Sequence, residues 1–131
     1  MDAAQLNALT ESIIGAAIDV HRELGPGLLE QSYEVCLCFE LLNRGLNVER
    51  QKPLPVRYKN QQLDHGYRID LLVEEEVVVE VKAIERFERV HLAQLISYLK
   101  FANRQVGLLL NFNVALLSRN GIKRVVNGFP E

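Results

Sequence analysis

The sequence predicts a mixed α/β sandwich. Two runs of apolar residues at helical spacing fill the first 44 positions, alternation follows from position 63, and a further helix then leads to an apolar strand. At 131 residues and 48% hydrophobic, the chain has the size and composition of one domain with one core, and general disorder is excluded.

Leu6, Leu9, Ile13, Ala17, Val20 and Leu24 define an amphipathic helix over Ala3–Leu24, ended by Gly25-Pro26-Gly27. A second helix is expected over Leu28–Arg44, with Leu29, Tyr33, Leu37 and Leu41 on one stripe and Gly45 as its C-terminal cap. Strands are expected at Asn47–Gln51 and Leu54–Lys59, where Pro53 and Pro55 suit a sheet edge, with a turn at Asn60-Gln61. Leu63, His65, Tyr67, Ile69, Leu71 and Val73 alternate as one long strand; Glu74–Glu76 turn the chain and Val77–Ala83 return. Phe87–Asn103 reads as a helix and Val106–Phe112 as a strand. Asn120-Gly121 signals a type I′ turn between strands Val114–Ser118 and Ile122–Val126.

The charge balance, 15 basic against 17 acidic residues, argues against a protein that coats nucleic acid non-specifically. It is uneven: residues 1–65 carry 6 basic and 9 acidic side chains (net −3), and residues 66–131 carry 9 and 8 (net +1). A phosphate-binding surface is therefore expected from Arg86, Arg89, Lys100, Arg104, Arg119, Lys123 and Arg124. Cys36 and Cys38, two apart in a helix, cannot bridge each other, and no second pair makes a zinc site, so a reducing cytoplasm is expected. No basic-then-apolar leader and no apolar run of membrane-spanning length is visible, so no membrane association is expected.

The chemistry concentrates in Tyr67–Ala83. If Glu74–Glu76 form a three-residue loop, Val73 pairs with Val77 and Asp70 falls opposite Glu80, with Cβ atoms ~4.5–5.5 Å apart. Lys82 shares their face, as do Leu72 and Val78; Ile69, Leu71, Val73, Val77, Val79 and Val81 form a uniformly apolar opposite face. A two-residue turn would send the two acids to opposite sides. Two facing carboxylates need a positive charge between them, as in a divalent-metal phosphodiesterase. The plainer reading is a solvated checkerboard, with Arg68 facing Lys82 and diagonal pairs Asp70–Lys82 and Arg68–Glu80. Charges set inside a valine run, beside Leu72 and Val78, count against it.

Asp70 followed by Glu80-Val81-Lys82 resembles the signature of the PD-(D/E)XK nuclease superfamily, although Arg68-Ile69 precedes the aspartate where the name has a proline. Gly27-Leu28-Leu29-Glu30-Gln31-Ser32-Tyr33 is similar to the motif of its GxxExxY family. Gln94-Leu95-Ile96-Ser97-Tyr98 resembles the Gln-x-x-x-Tyr element of the exonuclease-like branch. The likeness spans roughly Ile13–Phe112. It implies a restriction-endonuclease-like three-layer core, a mixed central β-sheet flanked by helices in the order α-α-β-β-β-α-β plus a C-terminal hairpin, with 1–131 as a single nuclease-like domain.

The resemblance also implies roles. Asp70 and Glu80, with the Val81 carbonyl, would ligate Mg²⁺ or Mn²⁺. Lys82 would orient or deprotonate the attacking water and stabilise the pentacovalent transition state. Glu30 would add a carboxylate to the metal, or only favour the dipole of its helix. Gln94 and Tyr98, four apart on one helix face, would contact the scissile phosphate, Lys82 or the water, or simply pack the helix on the sheet. Tyr33 is as much a core as a site residue. His21 reads as capping or packing, His65 as structural and His91 as surface. The function expected is a metal-dependent nuclease acting on nucleic acid, DNA first, as a homodimer where both strands are cut. The alternatives are a catalytically inactive nuclease-fold module binding nucleic acid or a partner protein, and a purely structural interaction domain.

Overall fold

The computed structural model describes residues 1–128. Helix α1 (Ala3–Leu24) begins at a capping box in which the Asp2 carboxylate accepts the Gln5 N–H and the Gln5 side chain accepts the Asp2 N–H. Gly25 and Gly27 both adopt positive φ, which lets the chain reverse around Pro26 into helix α2 (Glu30–Asn43). The Tyr33 hydroxyl secures this turn: it donates to the Gly25 carbonyl at 2.6 Å and accepts the Leu28 N–H at 3.0 Å, while its ring stacks on Phe112. Tyr33 is therefore a buried core residue.

Strands β1 (Val48–Pro53), β4 (Arg68–Val73), β5 (Val77–Lys82), β6 (Val106–Asn111) and β7 (Ile122–Val126) form one sheet in the order β1-β4-β5-β6-β7. Only β5 and β6 are parallel, as required by the crossover through helix α3 (Arg89–Ala102). One face of the sheet packs Leu71, Val73, Val77, Val79, Val81, Leu108 and Leu110 against α1 and α2. The other packs Ile69, Leu72, Val78 and Leu109 against Leu95, Tyr98 and Leu99 of α3. This is the expected three-layer, restriction-endonuclease-like architecture. Gly107 permits the close approach of α3, because a Cβ there would stand 2.9 Å from Leu95.

Three expectations need correction. The long strand from Leu63 is broken: β3 (Gln61–Leu63) pairs instead with β2 (Val56–Tyr58) in a separate ribbon, and Gly66 at φ +78° turns the chain before β4. His65 consequently lies exposed in a loop, not on an apolar strand face. No hairpin follows β6. Leu117–Asn120 form a single helical turn, α4, and β7 pairs with β6 itself. Gly121 has φ −104°, outside the type I′ range; its lack of a side chain serves close packing, since a Cβ would meet the Asn111 carbonyl at 2.6 Å. Among the described residues no helix is long and apolar enough to cross a membrane.

Candidate functional site

The β4–β5 hairpin has the odd loop on which the sequence argument depended. Val73 pairs with Val77, Leu72 with Val78 and Leu71 with Val79, around a turn whose Glu74 and Glu75 hold φ near +54°. The next step in that register is Asp70 opposite Glu80, and there side chains replace the backbone ladder. The Glu80 carboxylate accepts the Asp70 N–H at 2.9 Å, and the Asp70 carboxylate accepts the Val81 N–H at 2.8 Å. The two acids converge where the strands part.

Regular alternation fails on both strands that flank this point. Gln51 of β1, between the pairs Arg50–Leu71 and Lys52–Ile69, has φ +54° and drops out of the ladder opposite Asp70. Ile69 packs with Leu72 and Val78 on the α3 face, not with Leu71 and Val73 as strict alternation required. The apolar face expected from sequence is thus interrupted at Ile69. The break at Asp70 lets its carboxylate also accept from the Gln51 amide, at 3.3 Å.

The same amide donates to Glu34 at 2.8 Å, and Arg50 pairs with Glu34 at 2.7 Å. Glu34, buried on α2 one turn beyond Glu30, joins the acids through Gln51. The sequence reading missed Glu34, Arg50 and Gln51; the spacing of Glu30 and Glu34, four apart on one helix, was the available signal. Glu30 is exposed and accepts the Ala83 N–H at 3.1 Å, at the end of β5. Asn111, also missed, is buried and clamps the segment after Lys82: its amide exchanges hydrogen bonds with the Ile84 N–H and carbonyl.

Burial opposes ionisation of the acids gathered here. Glu80, only 4% exposed, has its carboxyl pushed up to about 8, chiefly by burial and then by the neighbouring Asp70 charge. Asp70 is raised as well, mainly by burial, with the Val81 N–H and the Lys82 charge opposing the shift. Glu34 follows for the same first cause, with Asp70 adding to it and Arg50 and Gln51 opposing it. Lys82 is half-buried, and among the described residues its ammonium makes no hydrogen bond or ion pair. Among the described residues the checkerboard of Asp70–Lys82 and Arg68–Glu80 ion pairs is absent, and Arg68 donates to the Gln51 carbonyl.

On α3, the Gln94 amide donates to the Tyr98 hydroxyl at 3.2 Å. Burial and the nearby Glu80 charge raise the Tyr98 phenol. The pair is packed, since Tyr98 belongs to the α3-side core, and it also feels the acid cluster. His21 is a packing residue, its Nε2 donating to the Val114 carbonyl. His91 is half-buried, and its Nδ1 accepts the Glu88 N–H at the start of α3. Of the basic residues in the second half, Arg104 is spent on the carbonyls of Glu75, Ala102 and Asn103, and Arg86 pairs with Glu88.

The donor set is hard oxygen. Among the described residues no three His, Cys, Asp or Glu side chains converge to cage an ion by themselves. Two carboxylates converging on one gap suit a hard divalent cation better than a closed protein site.

A mixed sheet between helical layers, with acids meeting at the open end of a hairpin and a lysine two residues on, is the architecture of a restriction-endonuclease-like protein. A family model for the PD-(D/E)XK nuclease superfamily matches residues 7–125, and the chain belongs to that superfamily. Its nucleases generally use divalent metal ions and act on nucleic acid. No curated protein and no solved structure matches the chain.

Proposed function

We propose that the protein is a metal-dependent phosphodiesterase that cleaves nucleic acid, with DNA as substrate, in the GxxExxY branch of its superfamily. The observation that carries this reading is the reciprocal pairing of Asp70 and Glu80 with each other's strands, a half-buried and a buried acid sharing one gap, with no arginine paired to either among the described residues. Asp70, Glu80 and the Val81 carbonyl would hold Mg²⁺ or Mn²⁺, and Glu30, which now accepts the Ala83 N–H, would have to turn toward them to add its carboxylate. Once bound, the cation supplies an activated water and neutralises charge on the phosphate.

Lys82 orients or deprotonates the water and stabilises the charge growing on the phosphate. Among the described residues its ammonium has no hydrogen-bond or ion-pair partner, and Asn111 clamps the backbone at Ile84, two residues on. Gln94 and Tyr98 contact the substrate phosphate or position Lys82 from α3. The whole chain, 1–131, acts as one unit in the cytoplasm, and two copies cooperate where both strands are cut.

The test is cleavage of single- and double-stranded DNA and RNA with Mg²⁺ or Mn²⁺. Lys82→Ala is expected to lower the rate by about 10²–10⁴-fold while thermal unfolding and metal binding stay near wild type. Asp70→Ala is expected to lose cleavage and metal binding together. Wild-type protein that binds nucleic acid yet never cuts it would instead support the inactive binding module.

A further inference from the structure

Between α3, β2 and the segment leading into β4 lies a cavity of about 280 Å³, lined by Val56, Tyr67, Gln94, Ser97, Tyr98 and Phe101. Half of that lining is aromatic. Tyr67 and Phe101 are each 44% exposed, unusual for rings of this size beside a packed core. Tyr67 meets Tyr98 edge-on, with centroids 6.4 Å apart and planes at 76°.

The polar groups in the cleft are neutral. Gln94 donates to Tyr98, which leaves its carbonyl oxygen open to another donor among the described residues. Among the described residues no carboxylate lines the cavity. Each lining element instead carries an exposed cation next in sequence: Arg57 beside Val56, Arg68 beside Tyr67, and Lys100 beside Phe101. None of these three is in an ion pair among the described residues.

We infer that this cleft captures an unpaired nucleobase against Tyr67 and Phe101, from a strand whose phosphates are met by Arg57, Arg68 and Lys100. Rings with neutral hydrogen-bonding groups at their edge suit a base, and exposed cations on the same elements suit the backbone that carries it. A base within a duplex is already paired and stacked, so entry would require its extrusion; a strand with unpaired nucleotides avoids that cost. Tyr67 precedes Asp70 by three residues, roughly 10 Å of extended chain.

The inference deepens the phosphodiesterase reading by naming its substrate class. It rests on that reading only in supposing that the captured strand continues to the acid pair. The test is equilibrium binding of equal-length oligonucleotides to the full chain in EDTA, where cleavage cannot intervene. The probes are single-stranded DNA, single-stranded RNA, duplex DNA, and single strands carrying abasic sites.

Binding of one or both intact single strands about tenfold tighter than duplex or abasic strand is expected, and whichever of DNA or RNA binds more tightly identifies the sugar. Tyr67→Ala and Phe101→Ala are each expected to weaken that binding by about tenfold, and Tyr67→Phe to retain it. Thermal unfolding checks each variant's fold, and Phe101→Ala carries the test if Tyr67→Ala fails to fold. Abasic and intact strands binding equally, or folded alanine variants binding like wild type, would overturn the proposal. The two readings fail separately. Base-selective binding without cleavage in Mg²⁺ or Mn²⁺ removes the enzyme and keeps the cleft, and cleavage without base selectivity does the reverse.

Discussion

The two ends of the β4–β5 hairpin are built from neighbouring residues of the same strands, yet they follow opposite rules. At the loop end, Leu71–Val73 and Val77–Val79 form a regular ladder of wholly buried aliphatic side chains. Burial there lowers the free energy, and the backbone satisfies itself. At the open end the ladder is replaced by carboxylates accepting backbone N–H groups, and Glu80 is buried almost as deeply as the valines. Burial there opposes the charged form of each acid. One end holds the sheet together; the other buries acids whose ionised forms a cation would stabilise.

That contrast can be broken from the stable end first. Leu72→Ala removes a buried side chain from the α3-side cluster and is expected to cost about 2–5 kcal/mol in denaturant unfolding. Its cleavage rate per folded molecule should fall far less than that of Lys82→Ala. At the acidic end, saturating Mg²⁺ or Mn²⁺ is expected to raise the unfolding temperature, with stabilisation of about 2.7 kcal/mol when the ion is at a hundred times its dissociation constant. Asp70→Asn combined with Glu80→Gln should abolish that response. An undiminished rise in the double variant would place the ion elsewhere.

Acid titration sharpens the same comparison. Without metal, folded Glu80 keeps its proton up to about 8, whereas the unfolded chain releases it near 4.5. Between those values the native state binds more protons. The contribution of Glu80 to stability is therefore fully present below 4.5 and is lost as pH rises through about 8. Glu80→Gln should flatten that decline, with a gain on the order of a few kcal/mol at the alkaline end, measured by metal-free unfolding across the range. A decline equally steep in the variant would assign it to other groups. The smallest effect is expected from Gln51→Ala, which removes the bridge between Glu34 and Asp70 and should cost about 1 kcal/mol. A double-mutant cycle with Glu34→Gln tests whether the bridge couples the two acids.

Periodicity made α1, α2 and α3 legible to within a residue or two, because each buries one stripe and ends at a glycine or a polar cap. The hairpin register was legible for a related reason: an odd loop was the choice that kept the valines buried and the acids together. The broken strand at Gly66 was not, since alternation from Leu63 to Val73 ran straight through a glycine whose positive φ no pattern announces. Asn120-Gly121 misled in the opposite direction. That dipeptide favours a hairpin in isolation, but here β6 recruits β7 directly and the glycine accommodates a crowded carbonyl.

What the chain dictates unaided is local: where helices start and stop, which strand faces are apolar, and which acids and lysine share a hairpin. Those follow from side-chain period and turn chemistry within short stretches. Long-range packing alone brought Glu34 and Gln51 beside Asp70, turned Ile69 toward α3 and opened an aromatic cleft beside α3. These depend on which surfaces meet after the helices dock on the sheet, and no spacing along the chain encodes that encounter.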